Sequence, residues 1–200
     1  DLGYKTENII YARLPENADL KLNTLSTEFL SVPSVKEVSF SSVLPAESES
    51  WSNFGLFINN EKKSIDAELK SIDSSYLKLY SFDLIAGRNL TAGDTVNSIV
   101  VNMEFLTELG ISDPNQALSL NIEGIGKNGS YIKGIVRDFH SGSLHDKIRP
   151  CLFYINPRSY STVNIKMTAS GNTVKGKSGI ATGDLQRLSD KWKIIFPDQV

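Results

Sequence analysis

Asn8-Ile-Ile-Tyr-Ala-Arg13, then Leu20 to Ser31, then Val35-Lys-Glu-Val-Ser-Phe40 form the stretch that decides the fold. Its first part is β-branched and aromatic, a strand that Pro15 ends. Leu22, Leu25, Phe29 and Leu30 fall on one helical face, and Pro33 stops that helix. Val35 to Phe40 reads as a half-buried strand. The first 42 residues therefore spell a βαβ-like unit with a short helix.

Working outward, Leu44 to Asn53 is a polar loop rich in Ser and Glu, and it marks a subdomain boundary. Phe54 to Ile58 and Ser64 to Lys70 read as a hairpin across residues 59–63. Ser74 to Phe82 reads as a short helix, with Tyr76, Leu77, Leu79 and Tyr80 as its apolar residues. In the turn that follows, Thr91 and Asp94 have capping-box-like spacing. Ser98 to Asn102 is a strand, and Met103 to Leu109 a helix that Gly110 stops. Further strands are expected at Ala117 to Glu123, Tyr131 to Arg137, Leu152 to Ile155 and Thr162 to Met167. Gly171 to Gly183 reads as a loop and Asp184 to Phe196 as a closing amphipathic helix. This order, with no internal repeat, is α+β with a mostly antiparallel or mixed sheet.

Of the 200 residues 40% are hydrophobic and 22% charged, which is a globular composition. A net charge of -2, with its basic residues scattered, gives no field to attract nucleic acid or anionic lipid. Cys151 is the only cysteine, so no internal disulfide forms, and its apolar neighbours mark it as a small buried hydrophobe. No signal peptide or run of about 18 apolar residues is present. Both ends read as those of a piece of something larger.

The motifs that suggest chemistry do not sit in the context that chemistry needs. Gly124-Ile-Gly-Lys-Asn-Gly129 matches GxGxxG, but a dinucleotide site needs that string between a strand and a helix. Here a strand follows it, and Asn128-Gly129 favours a hairpin turn. His140 and His145 lie five apart in a Gly- and Ser-containing loop with Asp138 and Asp146, where no regular geometry converges them on zinc. Ser141 and Ser143 lack the GxSxG elbow of a hydrolase. The expectation is no catalytic residue, no metal and no cofactor in this chain.

One long pattern is more specific. Gly87-Arg88-Asn-Leu follows Tyr80-Ser-Phe-Asp-Leu-Ile; then come Ser98-Ile-Val-Val-Asn102-Met-Glu-Phe-Leu and Tyr131-Ile-Lys-Gly-Ile-Val-Arg-Asp-Phe-His140-Ser-Gly-Ser-Leu-His145-Asp-Lys-Ile-Arg-Pro150. This succession resembles the MacB-like periplasmic core domain of FtsX-family ABC transporter permeases. Met103 stands where that pattern favours an acid. Leu2 to Ile10 also looks like the segment leaving a first membrane helix, and Trp192 to Pro197 like the approach to a second.

The resemblance implies a porter-like βαβ-type subdomain from residues 1–45 and 131–200, with a sabre-like α+β subdomain, residues 46–130, inserted between. It implies a place on the periplasmic side of the bacterial inner membrane, in a membrane protein coupled to a cytoplasmic ABC ATPase. The implied role is mechanical, passing motion to a periplasmic adaptor or substrate. Within it, regulation of a cell-wall hydrolase is the alternative to export. A free-standing periplasmic metal-dependent hydrolase using His140 and His145 is the rival from another class. The loop from Asp138 to Pro150 is expected to cross between the subdomains or meet a partner, through Asp138, Phe139, His140, Ser143, Leu144, Ile148 and Pro150, with Leu144 buried against the other subdomain.

Overall fold

The computed structural model describes residues 2–48, 50–58, 61–126, 128–168 and 181–197. Its elements run β1 (Ile9–Arg13), a 3-10 turn (Ala18–Lys21), α1 (Leu22–Leu30), β2 (Val35–Ser41), β3 (Ser50–Ile58) and β4 (Glu61–Ser71). There follow α2 (Tyr76–Leu79), β5 (Leu84–Gly87), β6 (Ser98–Asn102), α3 (Met103–Glu108), α4 (Pro114–Ala117) and β7 (Asn121–Ile122). β8 (Ser130–Val136), β9 (Cys151–Tyr154), β10 (Thr162–Met167) and α5 (Thr182–Ile195) complete the order.

The opening βαβ unit is present, but split. β10 lies between β1 and β2 and runs antiparallel to both. Period-2 alternation in β10 puts Val163, Ile165 and Met167 on one face and Thr162, Asn164 and Lys166 on the other. The first face joins Leu25 and Phe29 of α1, Val38 and Phe40 of β2, and Leu188 and Ile195 of α5 in one core. Phe29 stacks on Trp192 with ring centroids 6.4 Å apart, and fixes α5 against α1.

The remaining strands build a second, mixed sheet in the order β3-β4-β9-β6-β8-β5, with β7 also on β8. β4–β9 and β6–β8 are parallel pairs; the others are antiparallel. Just after β7, the Glu123 N–H donates to the Gly55 C=O of β3 at 2.7 Å, so this sheet curls until its ends nearly meet. Inside the curl Phe54, Leu56, Ile99, Val101, Ile132 and Leu152 pack on Phe105, Leu106 and Ala117 of α3 and α4. The opposite face carries an aromatic core: Tyr4, Tyr76, Tyr80, Phe82, Phe139 and Phe153.

The expected division needs one correction. β2 belongs to the small sheet and β3 to the large one, but β8 and β9 also pair within the large sheet, so the chain does not return to the small sheet at residue 131. It returns between Tyr154 and Thr162. Strand patterning is the same whichever sheet a strand joins; the parallel partners β6 and β4 claim β8 and β9. The strand expected over Ala117 to Glu123 shrinks to Asn121–Ile122, because Asp113 caps a helical turn that begins at Pro114, and Ser119 sits at φ 71°. β3 starts at Ser50, inside the stretch read as a loop. Gly124 to Gly126 and Asn128-Gly129 lie between antiparallel β7 and β8, and Lys127 of the string lies outside the described residues. Of the loop expected at Gly171 to Gly183, residues up to 180 lie outside the described ones. The closing helix begins at Thr182.

Candidate functional site

The sequence placed the site in the loop from Asp138 to Pro150. The structure divides it into two clamped ends and an exposed middle. At its start the Asp138 carboxylate accepts the Glu104 N–H of α3 at 2.7 Å. At its end the fully buried Asn102, N-cap of α3, accepts the Phe105 N–H at 3.2 Å and the Cys151 N–H at 2.9 Å. Its amide also donates to the Arg149 C=O at 2.8 Å. Pro150 is buried, and its C=O accepts the Glu68 N–H at 2.9 Å. Ile148 is half-buried.

Between these clamps the loop holds itself. The Ser143 N–H donates to the Asp146 carboxylate at 3.2 Å, the Asp146 N–H to the Ser143 C=O at 3.0 Å, and the His145 N–H to the Ser143 hydroxyl at 3.2 Å. This turn lifts Leu144 to the tip, 57% exposed. The expected burial of Leu144 against the other subdomain is therefore wrong, and the loop joins two strands of one sheet. Phe139 takes the buried place, with its ring 5.0 Å from Phe82 and 5.6 Å from Phe153. Leu144→Asp should change the unfolding free energy in urea by no more than about 0.5 kcal/mol, as an exposed loop substitution does. A larger loss would mean that the tip packs on something.

His140 marks a contact that the sequence did not signal. Its N–H donates to the Leu2 C=O at 3.0 Å, and the Lys5 N–H donates to the Tyr80 C=O at 2.8 Å. Between them Gly3 has φ 82°, and a Cβ there would stand 2.6 Å from the Asp138 C=O, so only glycine fits. Tyr4 stacks on Phe82 at 5.6 Å, inside the aromatic core. The N-terminal segment is thus gripped by the large unit before it turns at Asn8, whose C=O accepts from Met167, into the small sheet. Among the described residues no three His, Cys, Asp or Glu side chains gather as metal ligands. Burial pushes the Cys151 thiol up to about 12, which leaves it protonated and inert at neutral pH.

The second feature is a polar seam between the two units. The later half of β2 is buried on both faces: Val38 and Phe40 meet the helices, and Ser39 and Ser41 face the large unit. Asp73 accepts from the Ser39 hydroxyl at 2.6 Å and from the N–H groups of Phe40, Ser75 and Tyr76 at 2.9, 3.1 and 3.0 Å. Burial raises its carboxyl above the usual value although all four bonds pull the other way. Buried Asn164 accepts from the Tyr80 hydroxyl at 2.8 Å and donates to the Ser41 hydroxyl at 3.0 Å. The Tyr160 hydroxyl donates to the Ile72 C=O, and the Ser42 N–H to the Ser71 C=O, both at 2.8 Å.

Next to the seam lies a charged cluster. Glu68 and Lys70 have no exposed side-chain surface, and their charged atoms are 3.7 Å apart. Arg149 reaches the other Glu68 oxygen at 3.3 Å, and Lys70 donates to the Glu47 C=O. Burial draws the Glu47 carboxyl up, but the Leu44 N–H and Arg13 outweigh it and hold it below the usual value. Glu47 thus ties Lys70 of the large unit to Arg13 of the small one.

No family model matches the sequence, and no curated protein matches it either. Solved structures do. The chain is similar to the periplasmic region of MacB from Actinobacillus actinomycetemcomitans, at 14% identity and a TM-score of 0.59, over 96% of this chain and 86% of that one. It is also similar to the extracellular domain of the noncanonic ABC-type transporter YknZ from Gram-positive bacteria, at 14% identity and a TM-score of 0.53, over 96% of this chain and 94% of that one. The chain has the fold of these domains.

Proposed function

We propose that this chain is the extracytoplasmic domain of an ABC transporter permease of the MacB/FtsX type, and that it transmits movement and carries out no catalysis. One observation carries the reading: the two end segments grip different units. Leu2 to Lys5 are bound into the aromatic core of the large unit. Leu188, Trp192, Ile195 and Phe196 are bound into the small one, where Lys21 donates to the Ile195 C=O at 2.7 Å. If each segment continues into a membrane helix, ATP-driven displacement of one helix against the other shears the two units along the polar seam. Directional hydrogen bonds suit such a seam, because they favour discrete arrangements over continuous sliding. The fold shared with MacB and YknZ domains supports the same reading. The cytoplasmic ATPase is then the energy source, a periplasmic adaptor or substrate the recipient, and the periplasmic side of the inner membrane the site of action.

A reversible lock across the seam tests this. Ser42 and Ser71 exchange backbone and side-chain bonds at 2.8 and 3.0 Å. The antiparallel Ser41–Ile72 bridge sets Ser42 opposite Ser71, and opposed residues on antiparallel strands have Cα atoms about 4.5–5.5 Å apart, within disulfide range. In the assembled permease, Ser42→Cys with Ser71→Cys should arrest ATP-driven transport when oxidised and restore it on reduction. Transport that runs unchanged with the disulfide closed would show the seam to be static and the reading to be wrong.

A further inference from the structure

We propose that β1 is a docking edge and that its occupant is β1 of a second copy of this chain, running antiparallel about Tyr11. The inference is independent of the transporter reading. Among the described residues β1 pairs only with β10. Asn8 C=O accepts from Met167, and the Leu14 N–H donates to Ser161, so by alternation Ile10 and Ala12 direct their backbone groups at β10. Ile9, Tyr11 and Arg13 direct theirs outward. The Ile9 N–H already donates to Thr6 at 3.2 Å. Among the described residues that leaves the Ile9 C=O and both groups of Tyr11 and Arg13 for an incoming strand.

Both faces of this edge are grooved. On the helix face a groove of about 280 Å³ is lined by Ile10, Ala12, Phe29, Leu185, Leu188 and Trp192. On the seam face one of about 150 Å³ is lined by Tyr4, Ile9, Tyr11, Leu44, Pro45 and Tyr80. An incoming strand drops alternate side chains into the two grooves, so it must be apolar on both faces. β1 itself meets that requirement, with Ile9 and Tyr11 on one face and Ile10 and Ala12 on the other. Tyr11 is 55% exposed and Leu185 41%, and Ile9 to Ala12 carry no charge or proline to blunt the edge. Centred on Tyr11, the pairing makes four bonds. Each Tyr11 N–H donates to the partner's Tyr11 C=O, and each Arg13 N–H to the partner's Ile9 C=O. The two Arg13 charges then stand at opposite ends of the pair and do not oppose each other.

Sedimentation equilibrium of the chain should show a mass rising from one chain to two between micromolar and millimolar concentration. Tyr11→Pro removes an N–H that β10 does not use, so it should keep the melting temperature and leave one chain throughout. In the paired state the two Tyr11 Cα atoms stand about 5.5 Å apart. Tyr11→Cys should therefore oxidise to a covalent dimer, with buried Cys151 silent, whereas Leu20→Cys, at a site 86% exposed on the 3-10 turn, should not. A chain that stays single at every concentration, or a dimer indifferent to Tyr11→Pro, overturns the proposal. So does equal cross-linking at both positions. Protection of the Tyr11 and Arg13 amides from hydrogen exchange at the lowest concentration also overturns it, because the chain would then cover its own edge.

Discussion

Lys70→Met is expected to lower the unfolding free energy by about 3–5 kcal/mol, the cost of stranding a buried charge by removing its partner. Glu68 and Lys70 are two apart on β4, so both point to the same face of the sheet and neither reaches water. One Glu68 oxygen has no hydrogen-bond donor and depends on the Lys70 ammonium 3.7 Å away. Arg149, 39% exposed, reaches only the other oxygen and compensates in part. Adding Glu68→Gln to Lys70→Met removes the stranded charge, so the double variant should recover much of the loss. Urea unfolding of the single and double variants measures both effects. A single-variant cost below about 1 kcal/mol would place the pair in the range of a solvated surface bridge.

Asn102→Ala should cost a similar amount, about 3–5 kcal/mol. It removes an N-cap, worth roughly 0.5–2 kcal/mol, and leaves the Cys151 N–H and the Arg149 C=O without partners in the interior, at roughly 1–3 kcal/mol each. Asn102→Asp keeps both acceptor roles but sets a buried carboxylate oxygen against the Arg149 C=O, so at neutral pH it should be no milder than the alanine variant and should recover stability as the pH falls and the carboxyl takes up a proton. The same urea titration decides it. If Ala and Asp prove equally mild, Asn102 is only a helix cap and the loop closes without it.

The elements that were legible in the sequence are those whose signal is local. α1 announces itself through Leu22, Leu25 and Phe29 at helical spacing, and α3 ends at Leu109-Gly110, with Gly110 at φ 76°. β1, β2, β6, β8, β9 and β10 all lie within a residue or two of where β-branched and aromatic runs put them. Partnership was not legible. Nothing in Tyr131 to Val136 says that Ser98 to Asn102, nearly thirty residues earlier, will lie parallel to it. The loop shows the same limit at the scale of one side chain. Leu144 and Phe139 are both apolar residues in a polar stretch, and only the Ser143–Asp146 turn and the ring of Phe82 decide which is buried. Nothing in the sequence marks Glu68 and Lys70 as buried, because the groups that meet them, Glu47 and Arg149, lie far away along the chain.

The split βαβ arrangement has a consequence for how such a chain can vary. Ser41, the last residue of β2, and Thr162, the first of β10, are direct neighbours across the small sheet. Everything from the linker to β9 therefore leaves and re-enters through one doorway about a strand's width across. To the small sheet the large unit is a hairpin loop grown to the size of a domain. Loop-closure entropy rises only with the logarithm of length, so lengthening that cassette costs the host sheet little as long as Asp73 and Tyr80 still meet β2 and β10 at the seam. The small unit can stay constant as a mount while lineages fit it with different heads.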